Sequence, residues 1–136
     1  MNRAATKDEL LTLMSQGLAD IEEAINQHPG ETVSLYQNGK SAFLERQAGA
    51  QETEWSRAAG LSLQELAIMH QYLFASAFMS AWYDARKDKA RRDQATSPAC
   101  LLVSGLGFSQ EDVLHRLMEY ERAWRTAMKP KRRWFW

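Results

Sequence analysis

Residues 63–93 read LQELAIMHQYLFASAFMSAWYDARKDKARRD, and no proline or glycine interrupts them. Ser62 stands just before the stretch with Glu65 three positions on, a capping box whose hydroxyl and carboxylate satisfy the free amides of a helix start. The first part is apolar on almost every side: Leu66, Ala67, Ile68, Met69, Tyr72, Leu73, Phe74, Ala77, Phe78, Met79, Ala81, Trp82 and Tyr83. A surface helix carries one apolar stripe; a helix apolar all round is surrounded. The sequence therefore predicts a central helix from Leu63 to about Asp93, with other helices packed round Leu63 to Tyr83.

A membrane span is the competing reading of the same letters, because about twenty apolar residues cross a bilayer and a cationic run follows. His70, Gln71, Ser76 and Ser80 interrupt the run and argue for a buried helix instead. Asp84 to Asp93 alternates in sign and reads as the solvated end of the helix. Beyond it, Gln94 to Pro98 reads as a linker, with Pro98 opening a short apolar helix to Val103 after a Ser97 cap. The Gly105-Leu106-Gly107 turn ends that helix. Ser109 then caps a last one, whose buried stripe is Val113, Leu114, Leu117, Met118, Ala123, Trp124 and Met128, and Pro130 stops it.

Toward the N-terminus, Thr6 and Glu9 repeat the capping pattern, and Leu10, Met14, Leu18, Ile21 and Ile25 recur at the helical period until Pro29-Gly30. Residues 32–45 are the one place that reads as β structure. Val33 and Leu35 alternate before Asn38-Gly39, and Ala42 and Leu44 alternate after it, so a turn at Asn-Gly would set Leu35 opposite Ala42 and Val33 opposite Leu44. A helix from Ser41 to Trp55 is the alternative, with Gly49 against it. The fold class expected is mainly α: one domain over 1–136, a small bundle of three to four main helices with a short β-hairpin insertion, and a basic-aromatic tail over 129–136.

The chain has 136 residues with 17 Lys+Arg against 17 Asp+Glu and 45% hydrophobic residues, an ordinary globular composition. A single cysteine, Cys100, excludes an internal disulfide scaffold. Acidic residues among the apolar positions of the first helix give no secretory signal, so a cytoplasmic location without membrane association is expected.

Overall neutrality conceals a division. Residues 1–65 hold five bases and ten acids, whereas 66–136 hold twelve bases and seven acids. Two basic groups stand out in the second half: Arg86, Lys87, Lys89, Arg91 and Arg92, then Arg122, Arg125, Lys129, Lys131, Arg132 and Arg133. The second group runs into Trp134, Phe135 and Trp136, with Trp124 nearby. Cations that neutralise phosphates beside rings that stack on bases are the ingredients of sequence-tolerant nucleic-acid binding; Trp and Arg are also the residues that dominate protein-binding hot spots.

Two stretches resemble the helix-turn-helix family of DNA-binding regulators: Leu106-Gly107-Phe108-Ser109-Gln110-Glu111-Asp112-Val113 and Arg57-Ala58-Ala59-Gly60-Leu61-Ser62-Leu63-Gln64-Glu65-Leu66-Ala67. Each covers about a dozen residues. The resemblance implies a recognition helix entering the major groove with its first residues. In the first stretch these are Gln110, Glu111 and Asp112, and the two acids depart from the pattern because phosphates repel them.

Catalytic signals are sparse. Cys100 sits in an apolar run, with His115 as its one conceivable partner base. Glu111, His115 and Glu119 share one helix face but form only one ligand set, where bundle metal sites use several. No phosphate-cradling glycine loop, paired-cysteine zinc pattern or nucleophile elbow occurs. The expectation is a non-enzymatic helical accessory subunit or regulator of a nucleoprotein assembly, without cofactor or metal. It would contact nucleic-acid backbone or a partner through the basic residues above and the tail. The alternative is a protein-binding inhibitor or adaptor that uses the acidic N-terminal half and the aromatic tail. A sequence pI of about 6.8 suits that alternative, since dedicated DNA-binding domains usually exceed about 9.

Overall fold

A computed structural model describes residues 6–49 and 60–128. These form five helices: α1 (Lys7–Asn26), α2 (Gly30–Gly49), α3 (Leu63–Ala85), α4 (Lys89–Ser104) and α5 (Gln110–Met128), and no strand occurs among the described residues. The protein is all-α, and none of these helices is long and apolar enough to cross a membrane.

The central-helix expectation holds for α3, which is buried from Met69 to Ala81 with the half-exposed Gln71 as its one interruption. Its neighbours form a ring: α1 packs on α2, α2 on α5, α5 on α4 and α4 on α1, with all four against α3. Lys7 meets Glu65, Gly17 meets Tyr72 and His28 meets Trp82, so α1 runs in the direction of α3. The pairs His70 with Tyr120 and Ser80 with Glu121 give α5 the same sense. Tyr36 with Phe78 and Phe43 with Phe74 set α2 antiparallel, and Arg92 with Asp84 does the same for α4. Four walls round one helix explain why α3 has no polar face.

The expected hairpin over 32–45 is a helix. Thr32, Tyr36 and Phe43 are buried, with Val33, Leu35, Gly39, Lys40 and Leu44 half-buried beside them, a helical spacing that outweighs the local alternation of Val33 and Leu35. Tyr36 stacks on Trp124 and meets Phe78 edge-on, while Phe43 stacks on Phe74. The Asn38-Gly39 pair makes no turn. Gly39 is needed for contact, since a Cβ there would stand 2.5 Å from Trp124 Cζ3. The expected three to four main helices thus become five.

The α3–α4 boundary also departs from expectation. The helix that was to run to Asp93 stops at Ala85, and Lys87 turns the chain with a φ of 57°. Asp88 accepts a hydrogen bond from Arg91 N at 3.2 Å and caps α4. The expected linker 94–98 is helical, with Pro98 inside α4. Proline removes one ladder hydrogen bond, and nearby hydroxyls donate to the preceding carbonyls: Ser97 Oγ to Asp93 O at 2.9 Å and Thr96 Oγ1 to Arg92 O at 3.4 Å.

The caps follow the sequence more closely. Ser62 and Glu65 form the full reciprocal box, Thr6 accepts from Glu9 N, and Ser109 accepts from Asp112 N. Gly107, with a φ of 110°, makes the turn before α5, and Glu111 and Asp112 lie exposed in the first turn of that helix. The buried stripe of α5 is Val113, Leu117, Tyr120, Glu121 and Trp124; Leu114, Met118 and Ala123, expected inside, are exposed.

Candidate functional site

The end of α3, the start of α4 and the second half of α5 converge on a carboxylate pair, Asp84 and Glu121. Glu121 is buried on α5, and Ser80 Oγ donates to its Oε2 at 2.8 Å. Arg92 reaches both acids, Asp84 Oδ1 at 3.1 Å and Glu121 Oε1 at 3.2 Å. Arg125 does the same, with Nε 3.1 Å from Asp84 Oδ2 and Nη2 donating to Glu121. A buried carboxylate is tolerable only when its charge is matched and its lone pairs are filled, and two guanidinium groups and a hydroxyl supply this. The network ties α4 and α5 to the C-terminal turn of α3.

Arg92 and Arg125 were expected among the binding cations, and here both are engaged internally. The remaining cations of the first group lie at the corner that this network braces. Arg86, Lys87, Lys89 and Arg91 are all exposed. The Arg86 guanidinium lies over the Trp82 indole, 3.1 Å from the ring centroid, a cation–π contact that fixes its direction. Trp82 is half-buried against Phe78 and His28. Arg91 holds only a loose pair with Asp88, N to O 3.6 Å. Arg122 is exposed on α5, beside Glu121 in sequence. Lys129, Lys131, Arg132, Arg133, Trp134, Phe135 and Trp136 lie outside the described residues.

Trp124, expected in the buried stripe of the last helix, is 1% exposed, and its indole donates to Phe74 O at 2.9 Å. It anchors the core that Tyr36, Phe74 and Phe78 build round it. Asp84 and Glu121 escaped the sequence reading as positioning residues. Glu121 stands four residues before Arg125, the favoured order for a helical ion pair, and that spacing was the available signal.

The other chemistry-bearing residues are dispersed. Cys100 is half-buried on α4, and burial pushes its thiol up, away from the reactive thiolate. His115, largely exposed, pairs with Glu119 at 3.1 Å. His70 is buried against Tyr120, with Nδ1 and Oη 2.7 Å apart; burial, assisted by Arg116, lowers its pKa to about 4, so it is neutral at pH 7. Among the described residues no group of three or more His, Cys, Asp or Glu is placed to hold a metal.

With this geometry in view, comparison with known proteins adds nothing further: no family model, no curated protein and no solved structure matches the chain.

Proposed function

We propose that this protein is a non-enzymatic helical accessory subunit or regulator of a nucleoprotein assembly that grips phosphate backbone through the α3–α4 corner. The observation that carries the reading is the exposure of Arg86, Lys87, Lys89 and Arg91 on one short turn whose neighbours, Arg92 and Arg125, are held by Asp84 and Glu121. A corner braced in this way loses little freedom on contact, which favours binding. Cations on a corner that offers no groove-filling helix or strand meet phosphates rather than base edges, so the binding is insensitive to duplex sequence. Arg122 and the basic-aromatic residues 129–136 extend the same cationic inventory and form part of the proposal.

Fluorescence anisotropy with duplex and single-stranded probes across a salt series tests it. Each phosphate contact contributes about −0.9 to the salt slope on duplex DNA. Changing Arg86, Lys87, Lys89 and Arg91 together to Gln should flatten the slope by about 2 to 4, as should, in part, a chain ending at residue 128. An unchanged slope, or no binding at low salt, removes the reading.

A protein-binding adaptor without nucleic-acid contact is the second reading. It is supported by Leu114 and Met118, which lie one turn apart on α5 and are 48% and 57% exposed. Capture of a partner that survives nuclease treatment and is lost on Met118→Glu favours it.

A further inference from the structure

A cavity of about 450 Å³ opens beside the basic corner, between α1, α3 and α4. Each helix gives it one face: Gly17, Asp20 and Ile21 from α1; Tyr72, Ser76, Met79 and Tyr83 from α3; Arg91, Gln94, Ala95 and Pro98 from α4. The spacing on every helix is three and four, so the cavity is a seam where three faces fail to close. Gly17 permits this shape. A Cβ there would come 2.8 Å from Tyr72 Cε1, so glycine lets the ring approach α1 closely.

Broad apolar surfaces, Ile21 and Met79, and the tyrosine rings alternate here with polar groups. Ser76 is 1% exposed, and its Oγ lies beside the Tyr72 hydroxyl without a well-formed hydrogen bond to it. A buried hydroxyl whose polar neighbour is poorly aligned is a standing cost that a better-placed ligand group can relieve. Asp20 and Gln94 line the cavity from exposed positions. Arg91 belongs both to the cavity and to the basic corner.

We infer that this cavity binds a nucleobase, with the attached phosphate held at the corner by Arg91. The chemistry of the walls selects this class. A base is flat and apolar on its faces, which suits Tyr72, Met79 and Ile21, and carries donors and acceptors round its edge, which suits an acceptor (Asp20), an amide that does both (Gln94) and a hydroxyl (Ser76). Its phosphate is anionic and sits outside, where Arg91 leads from the cavity to Lys89 and Lys87. A free nucleotide and an unstacked base of a single strand present the same chemistry. The phosphate half of this inference rests on the proposed function; the base half does not.

Amide chemical shifts of the full chain, titrated with the four ribonucleosides, the four 5′-monophosphates and a ten-nucleotide single strand, test both halves. Nucleosides lack phosphate and report the cavity alone. At least one should perturb residues 17–21, 72–83 and 91–98 at millimolar concentration, and its monophosphate should bind about tenfold more tightly. Tighter binding of the single strand than of any monophosphate identifies a strand as the source; the reverse identifies a free nucleotide. Both support a base-binding cavity.

Ala95→Phe fills the cavity and should weaken single-strand binding by about tenfold or more while duplex binding stays unchanged. Asp20→Asn, at an exposed position, and Ser76→Ala, which deletes a poorly paired hydroxyl, should leave folding intact and weaken nucleoside binding about fivefold or more. No perturbation by any nucleoside while duplex binding persists overturns the inference and leaves the corner reading standing. Nucleoside binding without any duplex or single-strand binding does the opposite.

Discussion

Gly39 on α2 abuts the indole of Trp124 on α5, so close that a methyl group on its Cα would overlap the ring edge. The contact lets α2 reach the core and complete the wall of helices round α3. It also inverts the usual advice about glycine in a helix, where replacement by alanine gains about 0.5–1 kcal/mol.

Gly39→Ala should therefore destabilise the protein by about 1–3 kcal/mol, the range for overpacking a filled core. Gly30→Ala is the control, because a Cβ there meets nothing within 4 Å, and it should be neutral or stabilising. Chemical denaturation of both variants measures the difference. Equal effects would mean that the indole yields freely.

Glu121 carries the corner. Glu121→Gln keeps the shape but leaves Arg92 and Arg125 with Asp84 alone, and should cost about 1–3 kcal/mol, discounted from the range for fully buried pairs because both arginines reach solvent. A double-mutant cycle with Arg92→Met should return a coupling well above the about 0.5 kcal/mol of an ordinary surface pair. The same Glu121 substitution should weaken duplex binding through loss of corner rigidity, even though it removes a negative charge.

Pro98 is exposed in the interior of α4. Pro98→Ala restores the missing ladder donor and should raise stability by about 1–3 kcal/mol, somewhat less than the full proline penalty because the unfolded chain gains freedom. The melting temperature and the helical circular dichroism signal should both rise.

His70 supplies a pH dependence of known sign. Its pKa is lowered from the usual 6.5 to about 4, chiefly by burial and then by Arg116. Between those values the unfolded chain holds a proton that the folded chain refuses, so stability falls as pH drops from about 6.5 to about 4 and is constant above. The loss reaches about 3 kcal/mol at most. His70→Gln retains a hydrogen-bonding group toward Tyr120 but cannot titrate. Denaturant midpoints measured from pH 7 to pH 4 should fall less steeply in this variant than in the parent chain, and parallel curves would contradict the assignment.

Much of the architecture is legible before any coordinates. Helix starts at Thr6, Ser62 and Ser109 follow from short-range chemistry, since a side-chain oxygen and an orphan amide three residues apart find each other without help from the rest of the chain. The central place of α3 follows from its lack of a polar face. What local pattern did not resolve is α2, where Asn38-Gly39 carries a strong turn signal and Val33 to Leu44 can be threaded as alternation or as helix. Tyr36 and Phe43 decide the matter through rings on α3 and α5 that are distant in sequence.

The candidate site divides in the same way. Sequence alone determined that cations gather between Arg86 and Arg92 and after Glu121, because composition is a local property. Tertiary structure decided which of them remain available, since pairing depends on Asp84 and Glu121 arriving from two helices to claim Arg92 and Arg125. It likewise opened the seam beside Arg91. Charge and capping are written residue by residue, whereas burial, neutralisation and cavities arise only when surfaces far apart in the chain meet and exclude water.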